Sequence, residues 1–304
     1  MFKLGVISDE IARDPVFSIP AAHEMGFTHI EFNQIREKNI HKLSNYEILE
    51  LKDLVQTHQL KVIAIDPPTY KDIQLESINK SQLPNDPEII QHLNQIRRSA
   101  EIANILGAKI VRIYSFRRSY MQNVFGNPSP RIENGGIIPP EILEKIIVGL
   151  SLALPIAEKY DIILGLENVR SCWGNTGYNS AQILGLIDHP RLRAIWDPGN
   201  DYVSGGIPYP DGYESIKPFI DHIHVKDAIV IDPSTGLTNW CCIGTGAIDY
   251  NSQISALKKD SYEKVISVET HWRKPYKSSS GQTSIDEGVQ STRETFEGLK
   301  KFLK

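Results

Sequence analysis

The sequence predicts an α/β protein built as a single (β/α)8 barrel. Three observations carry this. Eight short apolar or β-branched runs recur along the 304 residues. Stretches of helical periodicity separate them. The links from helix to strand are short, whereas many links from strand to helix are long. Strand alternating with helix calls for a parallel sheet, and eight such units in roughly 250–300 residues call for a closed barrel. An open, doubly wound sheet is the rival.

The strands are read, in order, at "LGVIS" (4–8), "HIEF" (29–32), "KVIAI" (61–65), "KIVRIYS" (109–115), "DIILGLEN" (161–168), "LRAIWD" (192–197), "HIHVKD" (222–227) and "KVISVET" (264–270). "KVIAI" and "DIILGL" are apolar on both faces, as buried parallel strands are. The first helix, "PVFSIPAAHEMG", stops at Gly26. The second starts with Ser44 and has Glu47 three residues on, a capping box. The third ends at Gly107. The fourth, 139–160, opens on prolines that suit a first turn. Weaker helical patterns follow at 179–188, 212–219 and 250–259, and a last one at 284–303. The long strand-to-helix connections, 66–86, 116–138, 169–178, 198–211, 227–249 and 271–283, would all crowd the C-terminal end of a barrel, where the active sites of such folds sit. No linker divides the chain, so residues 1–304 are read as one domain.

Composition bounds the function. With 40% hydrophobic and 23% charged residues the chain has the make-up of a globular protein, and its net charge of −4 gives no track for nucleic acid or an anionic membrane. No apolar run is long enough for a membrane span, and the first ten residues turn acidic too early for a signal peptide. Cys172, Cys241 and Cys242 form neither a disulfide framework nor a metal-type spacing. The expectation is a cytoplasmic protein acting on a small molecule; assembly into a homo-oligomer is compatible with this.

Four consecutive strands end in metal-ligand chemistry: Glu167 on the fifth, Asp197 on the sixth, His224 on the seventh and Glu269 on the eighth. Any single acid at a strand end is commonly a helix cap. Together, two Glu, one Asp and one His delivered to one level make a cage for one divalent ion, with Mn²⁺, Mg²⁺ or Co²⁺ favoured and Zn²⁺ allowed. Three carboxylates crowded without a cation would force a proton onto one of them. Alternation along "IDHIHVKDA" puts His222, His224 and Lys226 on one face. His222 is read as a core residue beneath the ion and Lys226 as a group reaching toward substrate, with a surface ion pair as its alternative. Glu10, Asn168 and His271 are further candidates near the same end, with loop packing the other reading of His271. Arg117 and Arg118 are either an anion grip or solvated loop residues. The glycine-rich "IGTGAIDY" (243–250) is read as a turn before a helix.

The motifs "LGVISDE", "GLEN", "WDPGN", "HIHVKDA" and "SVETHW" resemble the xylose isomerase-like TIM-barrel superfamily, within it the sugar phosphate isomerases/epimerases, related to ketose 3-epimerases and inosose dehydratases. The resemblance covers nearly the whole chain in element order. It implies that Glu167, Asp197, His224 and Glu269 bind the metal and that Glu167 and Glu269 also exchange a proton with the substrate carbon. The chain departs from the 3-epimerase pattern at three substrate-shell positions. Asn200 stands where those enzymes carry a histidine, Val230 where they carry an arginine, and Trp173 where they carry a polar residue. The metal set is kept and the sugar-binding shell is not. The candidate substrate-binding residues are thus Lys226, Asn200, His271, Glu10 and Trp173.

The function this implies is a metal-dependent sugar, sugar phosphate or polyol isomerase or epimerase, moving a proton through an enediolate stabilised by the ion. A dehydratase or lyase on an oxidised sugar or inosose needs the same four ligands and is the main alternative. An endonuclease IV-like nuclease would need a histidine-rich zinc cluster, and the chain has nine histidines, few at strand ends. A sugar-binding protein without catalysis would not need both glutamates.

Overall fold

The computed structural model describes residues 2–118, 133–232, 234–274 and 284–304. Eight parallel strands close into a barrel in sequential order. They are β1 (Lys3–Ile7), β2 (His29–Phe32), β3 (Lys61–Ile65), β4 (Ile110–Ile113), β5 (Ile163–Glu167), β6 (Leu192–Trp196), β7 (Ile220–Val225) and β8 (Val265–Val268). Closure is direct: β8 pairs with β1, Ile266 opposite Leu4. That excludes the open sheet. Every strand read from the sequence is present within two residues of its expected bounds.

Helices follow the capping signals. Pro15–Met25 ends at Gly26, and Pro87–Leu106 at Gly107. Both glycines adopt positive φ, 93° and 79°, where a side chain would be strained. Asn45–Thr57 begins with the full Ser44–Glu47 capping box. Ser284–Leu303 closes the chain.

Three expectations need correcting. The helix read at 139–160 is two, Pro140–Ser151 and Leu154–Tyr160. Pro155 has no N–H to give the Ser151 carbonyl, and its ring crowds that carbonyl, so one continuous helix cannot form. The stretch 227–249, read as a loop, contains an antiparallel hairpin, Asp227–Asp232 with Leu237–Cys241. The loop 198–211 opens with a short helix, Pro198–Ser204. Most of the 116–138 and 271–283 connections lies outside the described residues. No helix among the described residues is long and apolar enough to cross a membrane.

The barrel interior is layered, and the layering places the site. Ala64 on β3, Ile110 on β4 and Ile195 on β6 form an apolar cluster of their own. Gly165 on β5 faces them, since a Cβ there would lie 2.7 Å from Ile195 and 2.9 Å from Ile110. Side chains alternate along a strand. Two residues beyond that floor come Asp66, Arg112, Asp197 and Glu167, all buried. The same period that packs the floor therefore raises a charged layer toward the C-terminal end.

Candidate active site

The cage expected from the sequence is assembled. Glu167, Asp197, His224 and Glu269 each place one ligand atom so that all lie within 4.8 Å of one another. All four are buried. Strand register holds the levels: Ser267 pairs with His224, and Ile195 with His222. Asp197 uses its two oxygens differently. Oδ1 accepts the Asn200 amide at 2.8 Å and caps the Pro198–Ser204 helix, while Oδ2 faces the cage. Asn168 fixes the Asp197 backbone from both sides, at 2.8 Å each.

The residues fit a divalent ion. Their donors are carboxylate oxygens and one imidazole, and 4.8 Å is a separation that one ion with bonds of about 2.0–2.6 Å can bridge. His224 turns Nδ1 into the cage, 3.2 Å from Glu167 Oε1 and 3.9 Å from Glu269 Oε2. Its Nε2 meets Glu31 Oε2 at 3.0 Å, and Glu31 Oε1 meets His222 Nε2 at 2.7 Å. Glu31 thereby holds a proton on His224 Nε2 and turns Nδ1 toward the cage, where it would become a ligand on giving up its own proton. Among the described residues two other groups come within reach of a shared ion, Glu31–His222–His224 and Glu10–Glu269–His271. In the first, imidazoles already engage both Glu31 oxygens.

Lys226 closes the cage from β7. Its Nζ lies 2.9 Å from Asp197 Oδ2 and contacts Glu269 Oε2. Tyr250 donates its hydroxyl to the Lys226 carbonyl at 2.7 Å. Gly199 lets the side chain pass, since a Cβ there would stand 2.7 Å from Lys226 Cγ. Trp240 of the hairpin lies 5.1 Å from the ammonium and 5.3 Å from the His271 ring. The next residue, Asp227, is structural. Its carboxylate accepts amides from Ala228, Gly244, Gly246 and Ile248 and so folds the glycine-rich turn.

On the opposite wall, Arg112 Nη1 lies 3.1 Å from Glu167 Oε2, and its Nη2 donates to the Asp66 carbonyl at 3.2 Å. Burial would raise the Glu167 carboxyl, but Arg112 and His224 outweigh it and hold it at about 2. Glu269 is likewise held well below the usual carboxylate range, against its burial, by Lys226, His271 and His224. Asp197 is pushed up to about 6 by burial, with Lys226 opposing. Burial would make His224 less basic, yet Glu31 and Glu167 raise it well above its ordinary value.

The remaining candidates divide. Asn200 touches the cage, its Nδ2 donating to Asp197 Oδ2 at 3.1 Å and Glu167 Oε1 at 3.4 Å. His271 Nε2 stands 3.6 Å from Glu269 Oε1. Glu10 braces His271, taking its ring Nδ1 at 2.7 Å and its amide at 3.0 Å. Trp173 is buried beneath the Arg118 guanidinium at 4.7 Å and makes none of the cage contacts described. Arg117 pairs with Asp72 at 3.1 Å, and Arg118 is buried, donating to the Gly135 carbonyl. Both are buried, so neither is a solvated loop residue. Sequence reasoning missed Glu31, Asp66 and Arg112. The signal was there: a charge inside "HIEF" and "KIVRIYS" has no place in a purely apolar strand.

A family model described as xylose isomerase-like TIM barrel matches residues 19–301. The chain belongs to that family. An inosose isomerase of Bacillus velezensis is 24% identical over 290 residues, covering 92% of this chain and 90% of its own. A D-tagatose 3-epimerase-like protein shares the fold at TM-score 0.71 and 22% identity, covering 99% of this chain and 97% of that one. A protein called IOLI, solved with a zinc atom bound, aligns at TM-score 0.70 and 19% identity over 99% of both chains.

Proposed function

We propose that this member of the xylose isomerase-like family is a divalent-metal-dependent isomerase or epimerase of a sugar, sugar phosphate or polyol. The observation that carries the reading is the buried set Glu167–Asp197–His224–Glu269, with its ligand atoms within 4.8 Å. The relatives' names point the same way, as isomerase and epimerase, and one neighbour holds zinc. When bound, a divalent ion supplies Lewis-acid polarisation of a carbonyl. The chain's own residues do the rest. Glu167 and Glu269 are both held ionised, so either is ready to take a proton from a carbon beside the carbonyl. For isomerisation the same glutamate gives that proton to the neighbouring carbon, which leaves both carboxylates as they began; for epimerisation the second glutamate first takes up a proton from solvent and delivers it to the opposite face of the same carbon, while the first releases its own to solvent. Asn200 and Arg112 hold Glu167 in place, and Lys226 and His271 steady the charge on Glu269.

The test is incorporation of deuterium from deuterated water into carbon-bound positions of ketoses and inososes, with manganese added and with a chelator. Exchange that depends on manganese supports the reading. No exchange with any keto-sugar, or exchange indifferent to the chelator, would sink it. A second reading, loss of water from an oxidised sugar, is favoured by the Lys226 ammonium beside Glu269, which can steady a departing hydroxyl. Product analysis separates the two, since only elimination leaves a new double bond.

Glu31 provides a separate check. Glu31→Ala should weaken manganese binding about 10- to 100-fold, because outer partners of a ligating histidine typically matter that much. Titration calorimetry reads it. Unchanged affinity would mean that packing alone orients His224.

A further inference from the structure

The cage end of the barrel is rich in cations, and those bordering the site have oxygen partners. Arg112 has Glu167, Lys226 has Asp197 and Glu269, Arg117 has Asp72, Arg118 has the Gly135 carbonyl and Arg273 has Glu10. Lys71 is different. Among the described residues its ammonium makes no hydrogen bond and no ion pair, and its one recorded contact is the face of Tyr114, 5.0 Å from the ring centroid. The same ring carries the Arg112 guanidinium at 5.1 Å. Two cations thus gather at one buried aromatic ring on the wall of β3 and β4, and only Arg112 has a counter-charge.

The segment bearing Lys71 is anchored rather than loose. Tyr70 and Ile73, on either side of it, are fully buried. The Tyr114 amide donates to the Thr69 carbonyl at 3.1 Å, the Arg117 amide to the Ile73 carbonyl at 2.8 Å, and the Lys71 amide to the Pro68 carbonyl at 3.3 Å. Lys71 is half-buried, so its charge has lost part of its water without gaining an anion. Burial, and then the neighbouring Arg112, make the amine less basic than usual, while Glu167 and Glu269 act on it in the opposite sense. Geometry ties Lys71 to the cage: the Tyr114 ring it faces also carries Arg112, whose Nη1 lies 3.1 Å from Glu167 Oε2.

We propose that Lys71 is an anion subsite beside the cage, so that the substrate of the proposed cage carries an oxyanion, a carboxylate or a phosphate, rather than being a neutral sugar. This rests on the reading of the cage as the reacting site. An oxyanion supplies the counter-charge that Lys71 lacks, and Tyr114 gives it a flat apolar wall.

Three six-carbon polyols test it: neutral D-glucitol, D-gluconate and D-glucitol 6-phosphate, each titrated calorimetrically into full-length protein supplemented with magnesium. The expected result is that at least one anionic ligand binds about tenfold or more tighter than D-glucitol, the scale of one charge-assisted hydrogen bond. Lys71→Met should bring all three to one affinity, Lys71→Arg should keep the gain, and added salt should shrink it. Whichever anion gains identifies the group as carboxylate or phosphate. Equal affinities in the wild type, no measurable binding of either anion, or a gain that survives Lys71→Met would each overturn the proposal. Metal content is measured on the same samples. A Lys71-dependent gain without metal uptake would sink the cage and leave the subsite standing; metal uptake without the gain does the reverse.

Discussion

Glu269→Gln is expected to slow manganese-dependent deuterium exchange by about 10²- to 10⁴-fold, the usual worth of a positioned general acid or base. The amide keeps the shape and one ligand oxygen but cannot take a proton. Glu167→Gln should lose a similar factor. The two variants should differ in stability. Glu167 is gripped by Arg112 at 3.1 Å and His224 at 3.2 Å, deep in the barrel. Glu269 is the more exposed of the two, at 7%, and meets Lys226 and His271 at the outer edge of the cage. Glu167→Gln therefore removes the nearer of the two carboxylates facing a buried guanidinium, with Asp66 left at 4.0 Å, and its unfolding midpoint should fall further than that of Glu269→Gln. Exchange at near wild-type rate in either variant removes that residue from the proton path, and equal midpoints would show that the Arg112 contact adds little.

Different physical signals made different parts legible in the sequence. The barrel was readable because its strands and helices repeat with fixed periods and its caps are local: Ser44 with Glu47, and the glycines at 26 and 107. The cage was readable because each ligand ends a strand, where alternation dictates which way it points. The charges that support it were not. Glu31 matters through His222 and His224, which lie 191 and 193 residues away in the chain, and no local pattern encodes that distance. Arg112 and Asp66 meet across neighbouring strands for the same reason. Arg117 and Arg118 erred the other way. Read as an anion grip or as solvated loop residues, they are buried instead, beside Asp72 for one and the Gly135 carbonyl for the other. The split at Pro155 was legible and overlooked, because the helical apolar pattern runs straight through it.

Arg112→Met is expected to destabilise the chelator-treated protein by about 3–5 kcal/mol at neutral pH, the cost of leaving one half of a buried ion pair. Arg112 is 4% exposed and Glu167 2%, so solvent screens the pair little. The pH dependence gives the sharper test. Glu167 has a folded value of about 2 against an ordinary 4.5. A depressed carboxyl contributes stability that is fully present above its unfolded value and is lost as pH falls through the folded one. In the wild type this contribution should fade between about pH 4.5 and pH 2. Without Arg112, burial dominates and the Glu167 value rises, so the variant should lose little or nothing over that window. The gap between the two proteins should then be widest near neutrality and should narrow as the solution is acidified. Urea unfolding at several pH values measures it. A gap that stays constant with pH would show that Arg112 stabilises the barrel by packing alone, and that His224 by itself holds Glu167 ionised.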